Sequence, residues 1–422
     1  MKAVQKSGAG IAGGGRGRGT RRAATALLMG GVLLLGTACN DDAKAGGAGG
    51  SSTEAKGGDS STAGSSDATP KVSTAQLTVT PANGATDVAP KDGLQIAVAS
   101  GKLTKVEVAD KNGAAVAGEI AADGLSWKPT GQLAVGTTYT VNAQAVDSAG
   151  LVAASTTSFT TLTPAKTAGT SDNIADNGTY GVGMIVSVKF AKSIKNKDAV
   201  LGAITVVGSD GTEAKGHWFG TQRLDFRPEK YWKPGTKVTV KYRLKNVEVA
   251  PGIYGDIDKD EPFTIGRYQV STVDAATHMM SVAHGDGSTQ NVPITAGKDQ
   301  YSSWNGSMVI MSKDKVTRMN SATLSNMKGD EYDIPDVPHA MRLTDSGTFV
   351  HGNYWGNAFG KANTSHGCVG LQDTKDGSDS SPSGKFFNSS MVGDVVTIKN
   401  STSKTVSPDN GLSGWTLPWS QW

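Results

Sequence analysis

Two short runs near the C-terminus of this 422-residue chain carry most of its chemical information: Gly347-Thr348-Phe349-Val350-His351-Gly352-Asn353-Tyr354-Trp355 and Asn363-Thr364-Ser365-His366-Gly367-Cys368-Val369-Gly370. The apolar residues before His351 are typical of a β-strand that ends on a histidine. His366 and Cys368 stand two residues apart, so an extended backbone would place both side chains on one face. The pattern predicts a thiol and two imidazoles on neighbouring strands.

Cys368 is one of only two cysteines, and the other, Cys39, lies near the N-terminus. A free thiol, with a pKa of about 8.5, is mostly protonated at neutral pH and needs a base to become a nucleophile. His351 is the candidate base, and Gly367 gives the backbone freedom to aim its N–H and that of Cys368 at an oxyanion. We therefore expect acyl transfer through a thioester. A metal site of Cys368, His351 and His366, or a structural cysteine with two incidental histidines, are the alternatives.

On either side of this segment, the sequence pattern predicts strands rather than helices. Alternating runs cover residues 268–273, 307–311 and 394–398. Upstream, Trp127 precedes Pro129 by two residues, and Phe226 precedes Pro228 in the same way; in both copies a Gly-Thr turn then opens an alternating strand. Short strands with turn signals about every 8–12 residues are typical of a β-sandwich. The sequence predicts a mainly all-β fold with two tandem immunoglobulin-like β-sandwich modules, at 73–163 and 168–265, followed by a β-rich domain at 266–399.

The first 72 residues predict export and a flexible tether. Residues 1–22 hold six basic and no acidic residues, and a short apolar run then leads to small residues directly before Cys39. This resembles the lipobox of bacterial lipoproteins, with Gly36 where that family usually has Leu, and implies a signal peptide at 1–38 and a lipid on Cys39. An ordinary cleaved signal peptide is the alternative, and the Sec and Tat routes both stay open. Residues 39–72, rich in Gly, Ser and Ala, predict a flexible linker.

Composition excludes several classes of function. The 41 basic and 38 acidic residues give a net charge of +3, which is too balanced for a nucleic-acid-binding protein. Two cysteines exclude a disulfide scaffold and a multi-cysteine zinc site. We expect no metal and no cofactor.

The His351 run and the Ser365-His366-Gly367-Cys368 core resemble the L,D-transpeptidase (YkuD) family, whose β-rich catalytic domain cross-links peptidoglycan. The resemblance covers about residues 168–422, and it is strongest to the multi-module L,D-transpeptidases of actinobacteria. Residues 400–422 end in Trp415, Trp419 and Trp422 and are similar to the family's C-terminal subdomain. The resemblance implies that this extension packs back on the catalytic domain.

The resemblance implies a role for each matching residue. Cys368 would be the nucleophile, and His351 its base and later its acid, with the ring supported by the backbone carbonyl of Gly352, where many relatives have Ser. His366, Gly367 and the Cys368 amide would frame an oxyanion hole, to which Tyr332 would add its hydroxyl. Substrate contacts are implied for Tyr332, Met319, Ser346, Gly347, Ser365 and Gly370, the last being often Asn or Arg in relatives.

The resemblance also implies the reaction and the partners. Cys368 would attack a tetrapeptide stem at its third residue and release D-alanine, and the side-chain amine of a second stem would form a 3→3 cross-link. Expected partners are peptidoglycan stem peptides, carbapenems and other β-lactams as covalent inhibitors, and the outer face of the cytoplasmic membrane through the N-terminal lipid. Water or a protein amine as acceptor would instead give a carboxypeptidase or a protein-anchoring enzyme. A non-catalytic wall-binding lipoprotein is the alternative from another class.

Overall fold

The computed structural model describes residues 71–323 and 330–422. The predicted signal peptide at 1–38, the predicted lipidation site Cys39 and almost all of the predicted linker lie outside the described residues. The described residues fall in the second of two units of the chain, Thr69–Trp422. Within them, no helix has the length and apolar character needed to cross a bilayer.

The first β-region is a sandwich of two four-stranded sheets, ordered β1-β3-β6-β5 and β2-β8-β7-β4. Alternation explains its core: on β7, Tyr139, Val141 and Ala143 are buried while the residues between them are exposed. The buried side chains pack with Ile96 and Trp127 from the other sheet, which makes one core between the layers. The strands are β1 (Gln76–Thr80), β2 (Ala85–Val88), β3 (Gln95–Ala99), β4 (Lys102–Asp110), β5 (Gly118–Ile120), β6 (Ser126–Pro129), β7 (Thr138–Val146) and β8 (Val152–Thr161).

The second β-region has an eight-stranded sheet, ordered β10-β12-β15-β14-β13-β16-β19-β11, and a small sheet, β17-β18-β9. The repeated aromatics of the sequence occupy matching places, because Trp127 on β6 and Phe226 on β15 are both buried in the core of their own region. The elements are β9 (Lys166–Thr167), β10 (Thr170–Asp172), β11 (Thr179–Tyr180), β12 (Val186–Phe190), α1 (Lys197–Gly202), β13 (Ile204–Gly208), β14 (Glu213–Phe219), β15 (Arg223–Arg227), β16 (Lys237–Arg243), β17 (Glu248–Ala250), β18 (Ile253–Tyr254) and β19 (Asp258–Ile265).

The third region is a nine-stranded sheet, ordered β23-β28-β20-β21-β22-β27-β26-β25-β24, with one helix that begins at an N-cap serine, Ser381, followed by Pro382. Its core joins Val350 on β26 to Val369 on β27. The elements are β20 (Gln269–Asp274), β21 (Met279–His284), β22 (Thr289–Thr295), β23 (Gly306–Val309), β24 (Ser312–Asn320), β25 (Asp333–Arg342), β26 (Phe349–Asn353), β27 (Val369–Gln372), α2 (Pro382–Ser389) and β28 (Val395–Lys399). Short 3₁₀ helices lie at Asp299–Tyr301, Ser321–Thr323, Gly414–Thr416 and Trp419–Gln421.

The mainly β fold class, with a sandwich region ahead of a β-rich domain, is confirmed. The predicted strands in the third region correspond to β20, β23 and β28. Buried hydrophobic clusters occupy each of the three β-regions. The boundaries at 73–163, 168–265, 266–399 and 400–422 stay predictions.

The C-terminal extension packs on the second β-region as well as on the third. The guanidinium of Arg227, on β15 of the second region, lies 4.6 Å from the ring centre of Trp415, 5.3 Å from that of Trp419 and 4.4 Å from that of Trp422. Burial lowers the pKa of Arg227 to about 10, and aromatic faces are favourable neighbours for a desolvated cation. Leu412 packs with Val309 of the third region in the same apolar cluster. The extension therefore connects the second and third regions.

Candidate active site

The thiol and the first imidazole come from adjacent parallel strands. On β26, His351 is paired with Gly370 on β27, and Cys368 immediately precedes β27. Since Cys368 is two residues before Gly370, its side chain is expected on the same face as that of His351. Both residues line one cavity of about 440 Å³. The sequence-predicted pair is therefore brought together by the register of two strands.

The expectation that His366 and Cys368 share a strand is wrong. Residues 366–368 form a bend, and the strand begins only at Val369. The cause is Gly367, whose φ of +113° lies in a region that side-chain-bearing residues rarely adopt. The bend still leaves His366 on the cavity wall, but by a different geometry from the predicted one.

His366 lies among aromatic and charged neighbours rather than beside the thiol on a strand. Its ring centre is 5.2 Å from that of Tyr301 and 5.1 Å from that of Tyr332. Its Nε2 lies 3.1 Å from the Oδ2 of Asp330, which also pairs with Lys298. His366 thus connects the wall that carries Tyr332 to the loop that carries the cysteine.

Ser365 shapes the loop before the nucleophile. Its Oγ donates to the carbonyl of Cys368 at 2.6 Å and accepts from the N–H of Gly367 at 3.2 Å. Its own N–H donates to the carbonyl of Ala296. The hydroxyl is therefore engaged within the loop, and the Gly367 N–H that we expected at the oxyanion hole donates to Ser365 instead.

His351 carries its ring hydrogen on Nδ1, which leaves Nε2 able to accept a proton. Its Nδ1 is 2.9 Å from the carbonyl oxygen of Gly352, the group that the family resemblance implies as its support. Because a carbonyl can only accept, Nδ1 carries the hydrogen, and Nε2 of the neutral ring keeps its lone pair. Burial lowers the pKa of His351, which favours this neutral form. Trp355 stacks on the ring, with centres 5.8 Å apart and planes 19° apart.

The thiol is neutral in the resting site. Cys368 is only 7% exposed, and burial raises its pKa to about 11. At pH 7 such a thiol is ionised in roughly one molecule in 10⁴. Burial, together with the nearby cysteine, raises the pKa of Tyr332 to about 12, so its phenol stays protonated and can donate a hydrogen bond.

A second cavity of about 290 Å³ adjoins the first. Met319 and Tyr332 line both cavities, and Ser346 and Gly347 line the second. The carbonyl of Gly347 lies 3.7 Å from the Sγ of Cys368, which itself lines the first cavity. The structure therefore places Met319 and Tyr332 on the wall of the cavity that holds the cysteine, and Ser346 and Gly347 on the wall of the adjoining cavity.

Two predicted glycines are buried, and at Gly352 a side chain would collide with a neighbour. A Cβ on Gly352 would lie 2.2 Å from the Oδ2 of Asp373, whose carboxylate also contacts the Nδ1 of His339 at 2.7 Å. A Cβ on Gly370 would lie 3.0 Å from the Cγ2 of Thr295. Gly370 lines neither cavity, so the structure does not place it in contact with a substrate.

Sequence reasoning missed Asn353, Trp355 and Ile334 as cavity-lining residues. The Oδ1 of Asn353 accepts the N–H groups of Trp355 and Gly356 at 3.1 and 2.9 Å, which orients the turn that carries the tryptophan. Asn353 and Trp355 follow His351 by two and four residues, and this closeness in sequence was the signal that could have identified them. Within residues 71–323 and 330–422, no group of three or more His, Cys, Asp or Glu side chains could hold a metal ion.

A buried thiol and an imidazole with a free lone pair line one cavity of a β-rich domain, and these are the groups that a cysteine acyltransferase requires. Two family models match the chain: a bacterial Ig domain over residues 85–248 and the L,D-transpeptidase catalytic domain YkuD over residues 231–398. The second match includes Tyr332, His351 and Cys368.

The chain belongs to the L,D-transpeptidase family. It is similar to L,D-transpeptidase 2 of Mycobacterium tuberculosis, with 31% identity over 359 residues that cover 82% of this chain and 84% of the relative. It is also similar to L,D-transpeptidase 5 of that species, with 27% identity over 82% of this chain and 76% of the relative. A solved structure of the LD transpeptidase LdtMt1 in complex with imipenem shares 25% identity, covers 55% of this chain and 99% of its own, and has a TM-score of 0.47.

Replacing Gly352 by serine, the residue that many relatives have there, is expected to destabilise this protein. The new Cβ would collide with the buried carboxylate of Asp373, and overpacking of this kind costs about 1–3 kcal/mol. The measurement is the free energy of unfolding in denaturant. Gly202→Ser is the matched control, since a Cβ there meets nothing within 4 Å.

The same experiment tests the steric cause. In the double variant Gly352→Ser/Asp373→Ala, the carboxylate oxygen 2.2 Å from the new Cβ is removed and only the 2.9 Å contact with the Cβ of residue 373 stays. The double variant should therefore lose less stability than the sum of the two single variants. A Gly352→Ser variant as stable as the wild type, or additive losses in the double variant, would contradict the explanation.

Proposed function

We propose that this L,D-transpeptidase forms 3→3 cross-links in peptidoglycan through a thioester on Cys368. The observation that carries the proposal is that Cys368 and His351 line the same cavity, with the lone pair on Nε2 of His351. Since thiol and imidazole are both neutral at rest, the thiol proton passes to Nε2 as sulfur attacks the carbonyl of the third stem residue.

The proposed acylation step balances on these two residues. The S–C bond forms and the carbonyl oxygen becomes an oxyanion, which the Cys368 N–H and the Tyr332 hydroxyl are suited to bind. The protonated His351 then gives its proton to the departing nitrogen, and the bond to D-alanine breaks. The raised pKa of Tyr332 supports its part, because only a protonated phenol donates.

The deacylation step uses the same base. The side-chain amine of a second stem attacks the thioester, His351 takes one of its protons, and the thiol leaves and is reprotonated. The two cavities that share Met319 and Tyr332 support this step, because one can bind the donor stem while the other admits the acceptor amine. The aromatic side chains around the thiol favour an amine over water by limiting solvent access.

We propose two kinds of partner beyond the donor and acceptor stems: β-lactams and the cytoplasmic membrane. Carbapenems and other β-lactams present a strained carbonyl that the same thiol would open and retain as an acyl group. The N-terminal cysteine Cys39, with small residues before it, supports a lipid anchor at the outer face of the cytoplasmic membrane. The Gly/Ser/Ala-rich linker would then let the enzyme reach the wall.

The product formed from purified disaccharide-tetrapeptides tests the proposed function. We expect a dimer that has lost one D-alanine and whose fragmentation places the new bond between the two third residues. A tripeptide without dimer would instead show a carboxypeptidase, and a folded protein that leaves the substrate unchanged would support a non-catalytic wall-binding protein. Palmitate labelling that persists in Cys39→Ser would contradict the lipid anchor.

A further inference from the structure

The turn between β25 and β26 contacts the thiol of Cys368. It lies beyond the last paired residues of these two strands. Pairing between these strands ends at Arg342 and Phe349. Beyond it, Gly347 adopts a φ of +94°, and its carbonyl lies 3.7 Å from the Sγ of Cys368. The position of this carbonyl therefore depends on what supports residues 344–348.

Thr344 supports the turn from within, since its carbonyl accepts the N–H of Gly347 at 3.3 Å and its hydroxyl accepts the N–H of Thr348 at 2.9 Å. An asparagine of the C-terminal extension supports it from outside. The Oδ1 of Asn410 accepts the N–H of Ser346 at 3.0 Å, and its Nδ2 donates to the Oγ of Ser346 at 2.8 Å. The next residue, Gly411, donates its N–H to the Oδ2 of Asp345 at 3.2 Å. Three hydrogen bonds thus join the extension to the two residues that precede Gly347.

The extension is itself attached to the second β-region at this point. Arg223 on β15 donates to the carbonyls of Asp409 and Gly411, on either side of Asn410, at 2.7 and 2.5 Å. The same guanidinium pairs with the fully buried carboxylate of Asp225 at 2.6 Å. The carbonyls that flank Asn410 are therefore bound by a side chain that is itself fixed by a buried ion pair.

We propose that Asn410 is a positioning residue of the proposed transpeptidation, because its side chain fixes the Ser346–Gly347 peptide against the thiol of Cys368. This inference rests on the proposed function. Asn410 acts through the turn and does not touch the reacting atoms. The connection also makes the second β-region, through Arg223, a part of the support of the nucleophile.

The acylation rate of the full chain by imipenem, followed by intact mass, tests the proposal. In Asn410→Leu, we expect the maximal acylation rate to fall about tenfold, since small displacements of reacting groups are costly. The imipenem concentration for half-maximal rate should change less than about threefold. Asn410→Asp should stay within about threefold of wild type, because a carboxylate can accept from both the N–H and the hydroxyl of Ser346.

Asn305→Leu is the matched control. Asn305 also uses both amide atoms on one serine of the extension, since it accepts the N–H of Ser401 at 3.1 Å and donates to the carbonyl of Ser401 at 3.0 Å. It lines neither cavity. Melting temperatures of all variants separate lost stability from lost positioning.

Each outcome bears on the proposal. Slow acylation in Asn410→Leu alone supports it, whereas an unchanged rate, or equal slowing in Asn305→Leu, overturns it. If wild type itself takes no acyl group, the proposed function fails rather than the positioning role. Should Asn410→Leu not fold, Arg223→Lys keeps a cation beside Asp225 but cannot reach both carbonyls, and a rate equal to wild type in that variant overturns the proposal.

Discussion

Cys368→Ser loses at least about 10³-fold of the acylation rate with imipenem and forms no detectable 3→3 dimer. A serine hydroxyl is a much weaker acid than a thiol. The Nδ1–H of His351 is held by the neutral carbonyl of Gly352 rather than by a carboxylate, as in a Ser-His-Asp triad, so His351 is a poor base for a hydroxyl. The measurement is the mass gained by the intact protein and the dimer formed from tetrapeptide donors. The wild type should gain one acyl group, and Cys368→Ser none.

Stability is the control for this variant. The thiol bonds backbone groups, among them the carbonyl of Gly347 at 3.7 Å, and a serine hydroxyl can donate to the same carbonyl, so Cys368→Ser should melt close to the wild type. An imipenem adduct that persists in the folded Cys368→Ser variant would show that another group is the nucleophile. Cys368 is 7% exposed and lines the first cavity, so an adduct formed without its thiol would have to lie on a different group.

Local patterns were sufficient to predict the strands and the pair at the centre of the site. Along β7 and in the residues before His351, the order of apolar and polar side chains follows which of them are buried. A local pattern of this kind is enough to predict a strand. Since two adjacent strands place side chains in register, a histidine at the end of one strand and a cysteine before the next were expected to meet. The family match of the same motif confirmed the enzyme class.

The features that the sequence analysis predicted wrongly or did not predict depend on a single backbone angle or on residues distant in the chain. The strand expected through His366 fails because Gly367 takes a positive φ, which a sequence permits but does not require. Asp373, 21 residues later in the chain, occupies the space that a side chain at Gly352 would need. Asn410, 64 residues from Ser346, forms the hydrogen bond to the turn at that serine. Such contacts follow from the assembled fold, and no local period indicates them.

His351→Asn should lower the imipenem acylation rate by about 10²–10⁴-fold at pH 7, the usual size of general-base assistance. The pH dependence should change as well. In the wild type, the rate falls only when acid protonates His351, and burial moves this fall below pH 6.5, the ordinary pKa of histidine. In His351→Asn, the residual rate follows the thiolate, so it should rise about tenfold per pH unit toward the raised thiol pKa of about 11.

The two pH profiles distinguish a base from a merely structural histidine. If His351 only filled space beside Trp355, its replacement would scale the rate equally at every pH and leave the acid limb in place. A base gives the opposite result, since the acid limb belongs to the imidazole and disappears with it. Trp355→Leu is the companion variant: it removes the stacked ring but leaves Nδ1 bonded to Gly352, so it should shift the acid limb without abolishing it. An acid limb that survives in His351→Asn would therefore assign the proton transfer to another group.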